Sequence, residues 1–165
     1  MEKFPVVWLY GLSGVGKTSI AKTLMGKISQ RFIHIDGDEF RTHFSQDLSF
    51  SMQDRIENIK RIQKLSKFLN ESSLGVVISA LYFDQDLANW NRSNFPNYIE
   101  VHVHAPIDVL KTRNTKGLYF KARKDVVGVD IKWTPPTHSS LEIDTSISSQ
   151  DEAVSLILEK LESRA

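Results

Sequence analysis

Short apolar runs alternate along the chain with longer segments whose apolar positions recur every three or four residues. The first run, Val6 to Tyr10, is rich in β-branched and aromatic residues and stops at Gly11, which predicts a strand buried on both faces. From Lys17 onward, Ile20, Ala21, Leu24, Met25 and Ile28 have helical spacing. Phe32 to Ile35 reads as a second strand that ends at Asp36-Gly37-Asp38. Met52, Ile56, Ile59, Ile62, Leu65 and Leu69 fall at steps of three and four, so Met52 to Leu69 reads as a long amphipathic helix.

Leu74 to Ala80 predicts a third strand, separated from that helix by Ser72-Ser73. A polar segment follows, then a fourth strand at Tyr98–Val103. Pro106 opens a short helix through Lys111. Gly117 to Lys124 reads as a basic helix or loop, and Gly128 to Ser140, with Pro135-Pro136, as irregular. Leu141 to Ile143 predicts a fifth strand, and Asp151 to Leu161 a closing helix capped by Ser149. Strands alternating with helices argue for a parallel sheet with helices on both faces and right-handed crossovers. With no repeat, low-complexity tract or linker, the pattern predicts one domain over residues 1–165.

Composition narrows the partners. The chain carries 21 basic and 20 acidic side chains, a net charge of +1, so it has no electrostatic footprint for a nucleic acid polymer. A local basic pocket for a small phosphorylated substrate is compatible with that balance. The absence of cysteine excludes disulfides, thiolate metal sites and cysteine nucleophiles. The N-terminal apolar run is too short to span a membrane and leads directly into a motif, so it reads as a strand rather than a signal peptide. The expectation is a soluble cytoplasmic protein without a membrane partner.

That motif is Gly11-Leu12-Ser13-Gly14-Val15-Gly16-Lys17-Thr18, a full match to G-x-x-x-x-G-K-[ST]. Glycines let successive backbone N–H groups of such a loop point inward at phosphate oxygens, and the following helix presents its positive end to the same anion. Lys17 is expected to reach the β- and γ-phosphates of ATP, and the Thr18 hydroxyl to coordinate Mg²⁺. The loop serves motors, GTPases and kinases alike, so by itself it does not fix the reaction.

After the second strand, Asp36-Gly37-Asp38-Glu39-Phe40-Arg41 places two carboxylates at the carboxyl end of a parallel strand, where ligands bind in such sheets. One can hold Mg²⁺, directly or through water, while the other takes the proton from an attacking hydroxyl. A solvated turn whose acids cap the next helix is the plainer reading of the same residues. Arg55 and Asn58 stand three apart at the start of the long helix, off its apolar stripe, and can face one site. Phe50 reads equally as a stacking surface or a core aromatic. Arg113, Lys116, Lys121, Arg123 and Lys124 form a basic cluster around Gly117. His102 and His104 share one face of a strand but lack an evident third ligand.

Taken together, GLSGVGKTSIAKTL, IDGDEFR, DLSFSMQDRIENIKRI and TKGLYFKAR resemble, in order, the phosphate loop, acidic motif, substrate helix and lid of the adenylyl-sulfate kinases. The resemblance implies a P-loop NTPase fold, a three-layer sandwich with a mostly five-stranded parallel sheet and helices on both faces. It implies transfer of the ATP γ-phosphoryl group to the 3′-hydroxyl of a nucleotide acceptor, and a homodimer. By that resemblance Gly11, Ser13, Gly14, Val15, Gly16, Lys17, Thr18, Ser19 and Arg113 hold ATP, and Thr18 and Asp36 hold Mg²⁺. Lys17, Asp36, Asp38 and Lys116 are the catalytic set, with Asp38 the preferred base. Asp38, Arg41, Phe50, Arg55, Asn58, Ser79, Lys116, Gly117, Leu118 and Trp133 are expected around the acceptor, and about 113–133 to form the lid.

Two segments depart from the family pattern. Its members carry a serine-proline-tyrosine segment with an arginine after the third strand. This chain instead continues Leu81-Tyr82-Phe83-Asp84-Gln85-Asp86, with Arg92 as the replacement at hand. After the lid, a glycine-phenylalanine-threonine-glycine turn gives way to Val126-Val127-Gly128-Val129-Asp130-Ile131-Lys132-Trp133. There Trp133 can either stack on a ligand or pack beneath the two prolines. Such contacts set discrimination, so a cytidine diphosphoramidate kinase is the alternative within the family. A kinase for a sugar or shikimate-like alcohol, and a nucleotide-binding module without turnover, are the alternatives outside it.

Overall fold

Five short apolar runs become the five strands of one parallel sheet, in a computed structural model that describes residues 4–28, 31–82, 84–113, 117, 119 and 126–164. Strand β1 (Val6–Tyr10) is buried along its whole length, as an uninterrupted apolar run requires. It lies between β3 (Gly75–Ser79) and β4 (Tyr98–His104), with β2 (Phe32–Asp36) and β5 (Leu141–Asp144) at the edges, in the order β2-β3-β1-β4-β5. Every neighbouring pair is parallel. All the strands therefore deliver their carboxyl ends, and the loops that follow, to one edge of the sheet.

The period-two alternation of β1 sorts the core into two layers. Val7 and Leu9 pack with Ile20 and Leu24 of α1 (Lys17–Met25), Leu110 of α5 (Ile107–Arg113) and Ile157 of α6 (Gln150–Glu162). Trp8 and Tyr10 point the other way. They pack with Phe40 of α2 (Gly37–Phe44), Ile59 and Ile62 of α3 (Met52–Glu71) and Leu87 of α4 (Gln85–Asn94). The expected three-layer architecture is thus present, with helices on both faces. Helix α6 begins with a full capping box, Ser149 and Glu152 bonding each other's backbone.

Two helices escaped the periodicity. In α2 the acidic turn is itself the helix start. Helix α4 lay hidden in the polar segment after the third strand because one of its core positions is a polar residue. Asn91 is fully buried and bonds the Gln63 amide at 2.9 Å and the Tyr98 hydroxyl at 3.0 Å, with Tyr82 as a third partner. A buried amide with its bonds made packs as part of a core, yet it erases the apolar stripe from the sequence. Among the described residues no helix is long and apolar enough to cross a membrane.

Glu100, 1% exposed on β4, is paired with Arg92 of α4 through Nε at 3.0 Å and Nη2 at 2.7 Å. Burial pushes the Glu100 carboxyl up, against the pull of Arg92. Removing the arginine leaves a buried charge unpaired, so Arg92→Ala should cost about 3 kcal/mol in urea unfolding at neutral pH. A carboxyl with a raised folded pKa binds its proton more tightly when folded, so that loss should shrink as pH falls through the raised value. A loss independent of pH would show that the pair does not carry the effect.

Candidate functional site

The phosphate loop runs from the end of β1 into α1, and its glycines are required by space and by conformation. A side chain on Gly11, at φ +146°, would stand 1.9 Å from the Val103 carbonyl oxygen. Gly16 caps α1 in the left-handed region at φ 101°, which glycine adopts without steric cost. Lys17 follows, its Nζ donating to the carbonyls of Gly11 at 2.7 Å and Leu12 at 2.8 Å. Tyr119 donates its hydroxyl to the Ser13 carbonyl at 2.6 Å.

Next to this loop, at the end of β2, lies the Asp36 carboxylate. Its Oδ2 accepts from the Thr18 hydroxyl at 2.6 Å and the Ser79 hydroxyl at 2.9 Å. Its Oδ1 caps α2 by accepting from the backbone of Asp38 at 2.9 Å and Glu39 at 3.3 Å. Burial pushes the Asp36 carboxyl up, but the bonds from Thr18, Ser79 and the two amides outweigh it and hold the group below the usual carboxylate range. Thr18 has one hydroxyl proton and gives it to Asp36, which leaves the oxygen's lone pairs for a cation. A hydroxyl backed by a carboxylate is an all-oxygen set, and this suits a hard cation such as Mg²⁺. No group of three or more His, Cys, Asp or Glu among the described residues could hold a metal ion, so other ligands would come from phosphate and water.

The loop and the acids open onto one cavity of about 910 Å³. Of the residues the sequence singled out, Ser13 to Ser19, Asp36, Asp38, Arg41, Phe50, Arg55, Asn58, Ser79 and Arg113 all line it. Phe50 is exposed rather than in the core, at 66%. The Arg41 and Arg55 guanidiniums stand 5.0 and 5.6 Å from its ring. Both arginines are braced on backbone, Arg41 on the Ser49 carbonyl and Arg55 on that of Phe50, each at 2.8 Å. Burial, then the neighbouring positive charge of Arg55, pulls Arg41 below the ordinary guanidinium range. Asn58 is only 4% exposed, and its side-chain oxygen has no hydrogen-bond partner among the described residues. At the opposite end Arg113 donates to the Thr145 hydroxyl at 2.9 Å and carbonyl at 2.5 Å.

Other expected residues lie elsewhere. Ser79 lines the cavity, but its hydroxyl is spent on Asp36 rather than held for an acceptor. Gly117 does not line it. Trp133 does not either: its indole donates to the Tyr82 carbonyl at 2.8 Å and its ring lines a separate cavity of about 350 Å³ beside Pro135 and Pro136. The ring packs against the core layer of Trp8, Tyr10 and Tyr82. Arg92, tied to Glu100 and to the Thr137 carbonyl at 2.5 Å, does not replace the arginine that the family carries. Lys116, Leu118 and Phe83, with 120–125 of the expected lid, lie outside the described residues. Val126 and Val127, from the second departure, line the cavity, as do Thr145, Ser148 and Gln150, which the sequence did not single out. The signal for the last three was positional, since they follow β5 at the ligand edge of the sheet.

Comparison with known proteins agrees with this arrangement. The family model described as adenylylsulphate kinase matches residues 3–144. An adenylyl-sulfate kinase of Rippkaea orientalis is 37% identical over 163 residues, covering 94% of this chain and 90% of that one. One from Marinobacter nauticus is 37% identical over 174 residues, covering 99% and 86%. Among solved structures, the Mycobacterium tuberculosis APS kinase in complex with AMPPNP and APS superposes with a TM-score of 0.88 at 27% identity, covering 98% of this chain and 99% of that one.

The four bonds to Asp36 make a stability prediction. In Asp36→Asn the amide nitrogen faces two hydroxyl donors, so the variant should lose about 2 kcal/mol at neutral pH. A depressed carboxyl contributes stability that is present above its unfolded pKa and lost as pH falls through the folded value. The gap between wild type and variant should therefore close in acid. Thermal midpoints measured across pH check this, and a constant gap would count against it.

Proposed function

The chain belongs to the adenylylsulphate kinase family, and we propose that it transfers the γ-phosphoryl group of ATP to the 3′-hydroxyl of a nucleotide, adenylyl sulfate or a related activated nucleotide. The observation that carries this reading is the single cavity shared by the phosphate loop and by Asp38, Arg41, Arg55 and Asn58. Donor and acceptor can thus meet in one space, which is most of what phosphoryl transfer asks of a protein.

In this reading the loop amides and Lys17 hold the β- and γ-phosphates, with Lys17 exchanging its two carbonyl partners for phosphate oxygens. Mg²⁺, when bound with the nucleotide, neutralises charge on those phosphates. Thr18 is its protein ligand, and Asp36 acts through Thr18 and water, because all four of its bonds are already made. That leaves Asp38, exposed on the first turn of α2 at the cavity, to take the proton from the attacking hydroxyl. Arg41 and Arg55 present paired positive charge to the acceptor's anionic group, and the exposed Phe50 ring beside them offers apolar surface to its base. Asn58, buried at the same cavity, adds a polar side chain to its wall. Lys116 and the lid enter by resemblance alone. A homodimer is the assembly in this reading, and light scattering on the purified chain tests it.

One observation favours a second acceptor. In the turn where the family has an aromatic, Val126 and Val127 line the cavity, and Arg92 and Trp133 are engaged elsewhere. An aliphatic surface in that turn suits a different nucleotide, such as cytidine diphosphoramidate.

The test is ATP–Mg²⁺ with a panel of adenylyl sulfate, cytidine diphosphoramidate and plain nucleoside diphosphates, the product located by phosphorus NMR. The expected product is a 3′-phosphorylated nucleotide. Phosphorylation of sugars or shikimate-like alcohols, with every nucleotide left untouched, would overturn the reading. Asp38→Asn should lower kcat by about 100-fold or more while the KM for ATP is unchanged. A kcat near wild type would remove Asp38 as the base.

A further inference from the structure

His34 lies on β2 two residues before Asp36, so both side chains leave the same face of the strand. Ser79 stands opposite Asp36 in the β2–β3 register and is buried. Its hydroxyl sits between the other two, 2.9 Å from His34 Nε2 and 2.9 Å from Asp36 Oδ2. A hydroxyl has one proton, and an ionised carboxylate only accepts. The Ser79 proton therefore goes to Asp36, and the ring nitrogen of His34 donates to the Ser79 oxygen. Three side chains are thereby ordered in one direction: His34 to Ser79, Ser79 to Asp36 Oδ2, with Thr18 reaching the same Oδ2 from α1.

We propose that His34 is a positioning residue for phosphoryl transfer. By occupying the Ser79 oxygen it fixes the Ser79 proton on Asp36, and so fixes the carboxylate that orients the Thr18 hydroxyl toward the metal–nucleotide complex. Without His34, nothing holds the Ser79 oxygen from its other side, and the bond to Oδ2 is no longer fixed in one orientation. The cap on α2 uses Oδ1 and stays in place, so the loss falls on the site rather than on the helix. The inference rests on the kinase reading above, in which Thr18 meets Mg²⁺ with ATP.

The experiment measures Mn²⁺ binding to the protein–ATP complex by electron paramagnetic resonance with no acceptor present, alongside kcat and KM. It compares wild type, His34→Leu, His34→Gln, which keeps an N–H at similar reach, and Ser79→Ala. His34→Leu and Ser79→Ala should each weaken Mn²⁺ binding and lower kcat by about 10-fold, the usual effect of losing an outer-shell partner, with the acceptor KM unchanged. His34→Gln should restore both. Combining His34→Leu with Ser79→Ala should be no worse than Ser79→Ala alone, because the histidine acts only through the serine. Wild-type Mn²⁺ affinity in either His34→Leu or Ser79→Ala, or a His34→Gln as impaired as His34→Leu, overturns the proposal. If His34→Leu fails to fold, His34→Ala, which also lacks the N–H, takes its place and is read against His34→Gln and Ser79→Ala by the same criteria. A wild-type protein that binds Mn²⁺–ATP but phosphorylates no nucleotide counts against the acceptor reading only, since the relay is read without acceptor.

Discussion

The Asp36 carboxylate accepts hydrogen bonds from three separate elements: the Thr18 hydroxyl on α1, the Ser79 hydroxyl on β3 and two amides that open α2. A buried carboxylate is costly unless its lone pairs are met, and here each oxygen takes two donors. The arrangement holds only if the phosphate loop, the sheet edge and the acceptor-side helix keep their mutual positions. One side chain thus ties the helix that follows the phosphate loop to the helix that carries Asp38 and Arg41. It also explains why the second acid is Asp38: the first is occupied as a structural hub, and the helix it caps carries the second to the cavity.

Electrostatics divide the cavity along the same line. At one end lie the loop amides, the positive end of α1 and Lys17, all suited to the phosphates of ATP. At the other, Arg41 and Arg55 flank Phe50. Two guanidiniums held near each other by backbone carbonyls are mutually repulsive, a strain that an anion beside them would relieve. This is a local field, and a net charge of +1 over the whole chain gives no hint of it.

How much of this could be read from the sequence depended on whether a residue's role was local. The loop, its strand and its helix were legible because glycine spacing and apolar runs encode them directly. So were α3 and α6, by their period and by the Ser149 cap. Asp38, Arg41, Arg55 and Phe50 followed from resemblance and spacing, and the structure gathers them at one cavity. Helix α4 was not legible, since Asn91 breaks its stripe and is satisfied only by Gln63, Tyr82 and Tyr98, distant or invisible as partners in one dimension. His34 read as an isolated histidine because its significance depends on cross-strand register with Ser79. Ser79 itself read as an acceptor contact, for no sequence feature says which neighbour will take a hydroxyl proton.

The two departures from the family pattern meet in space. Tyr82, in the segment after β3, stacks its ring on Trp8 at 4.9 Å between centroids and lies 5.1 Å from Tyr10. Its carbonyl takes the indole proton of Trp133, from the segment after the lid. Trp133 in turn packs on the core layer shared by Trp8, Tyr10 and Tyr82. The first segment leads into α4, where Arg92 closes on Glu100 and on the Thr137 carbonyl, four residues beyond Trp133. Side chains at hand to meet a ligand are instead bonded to one another, and the wall behind the acceptor end is held by its own contacts. The changes are therefore coupled: restoring an arginine near Phe83 alone would leave Trp133 and the 126–131 turn in their present places. Val126 and Val127, a few residues before Trp133, are the surface that this stretch of chain presents to the cavity.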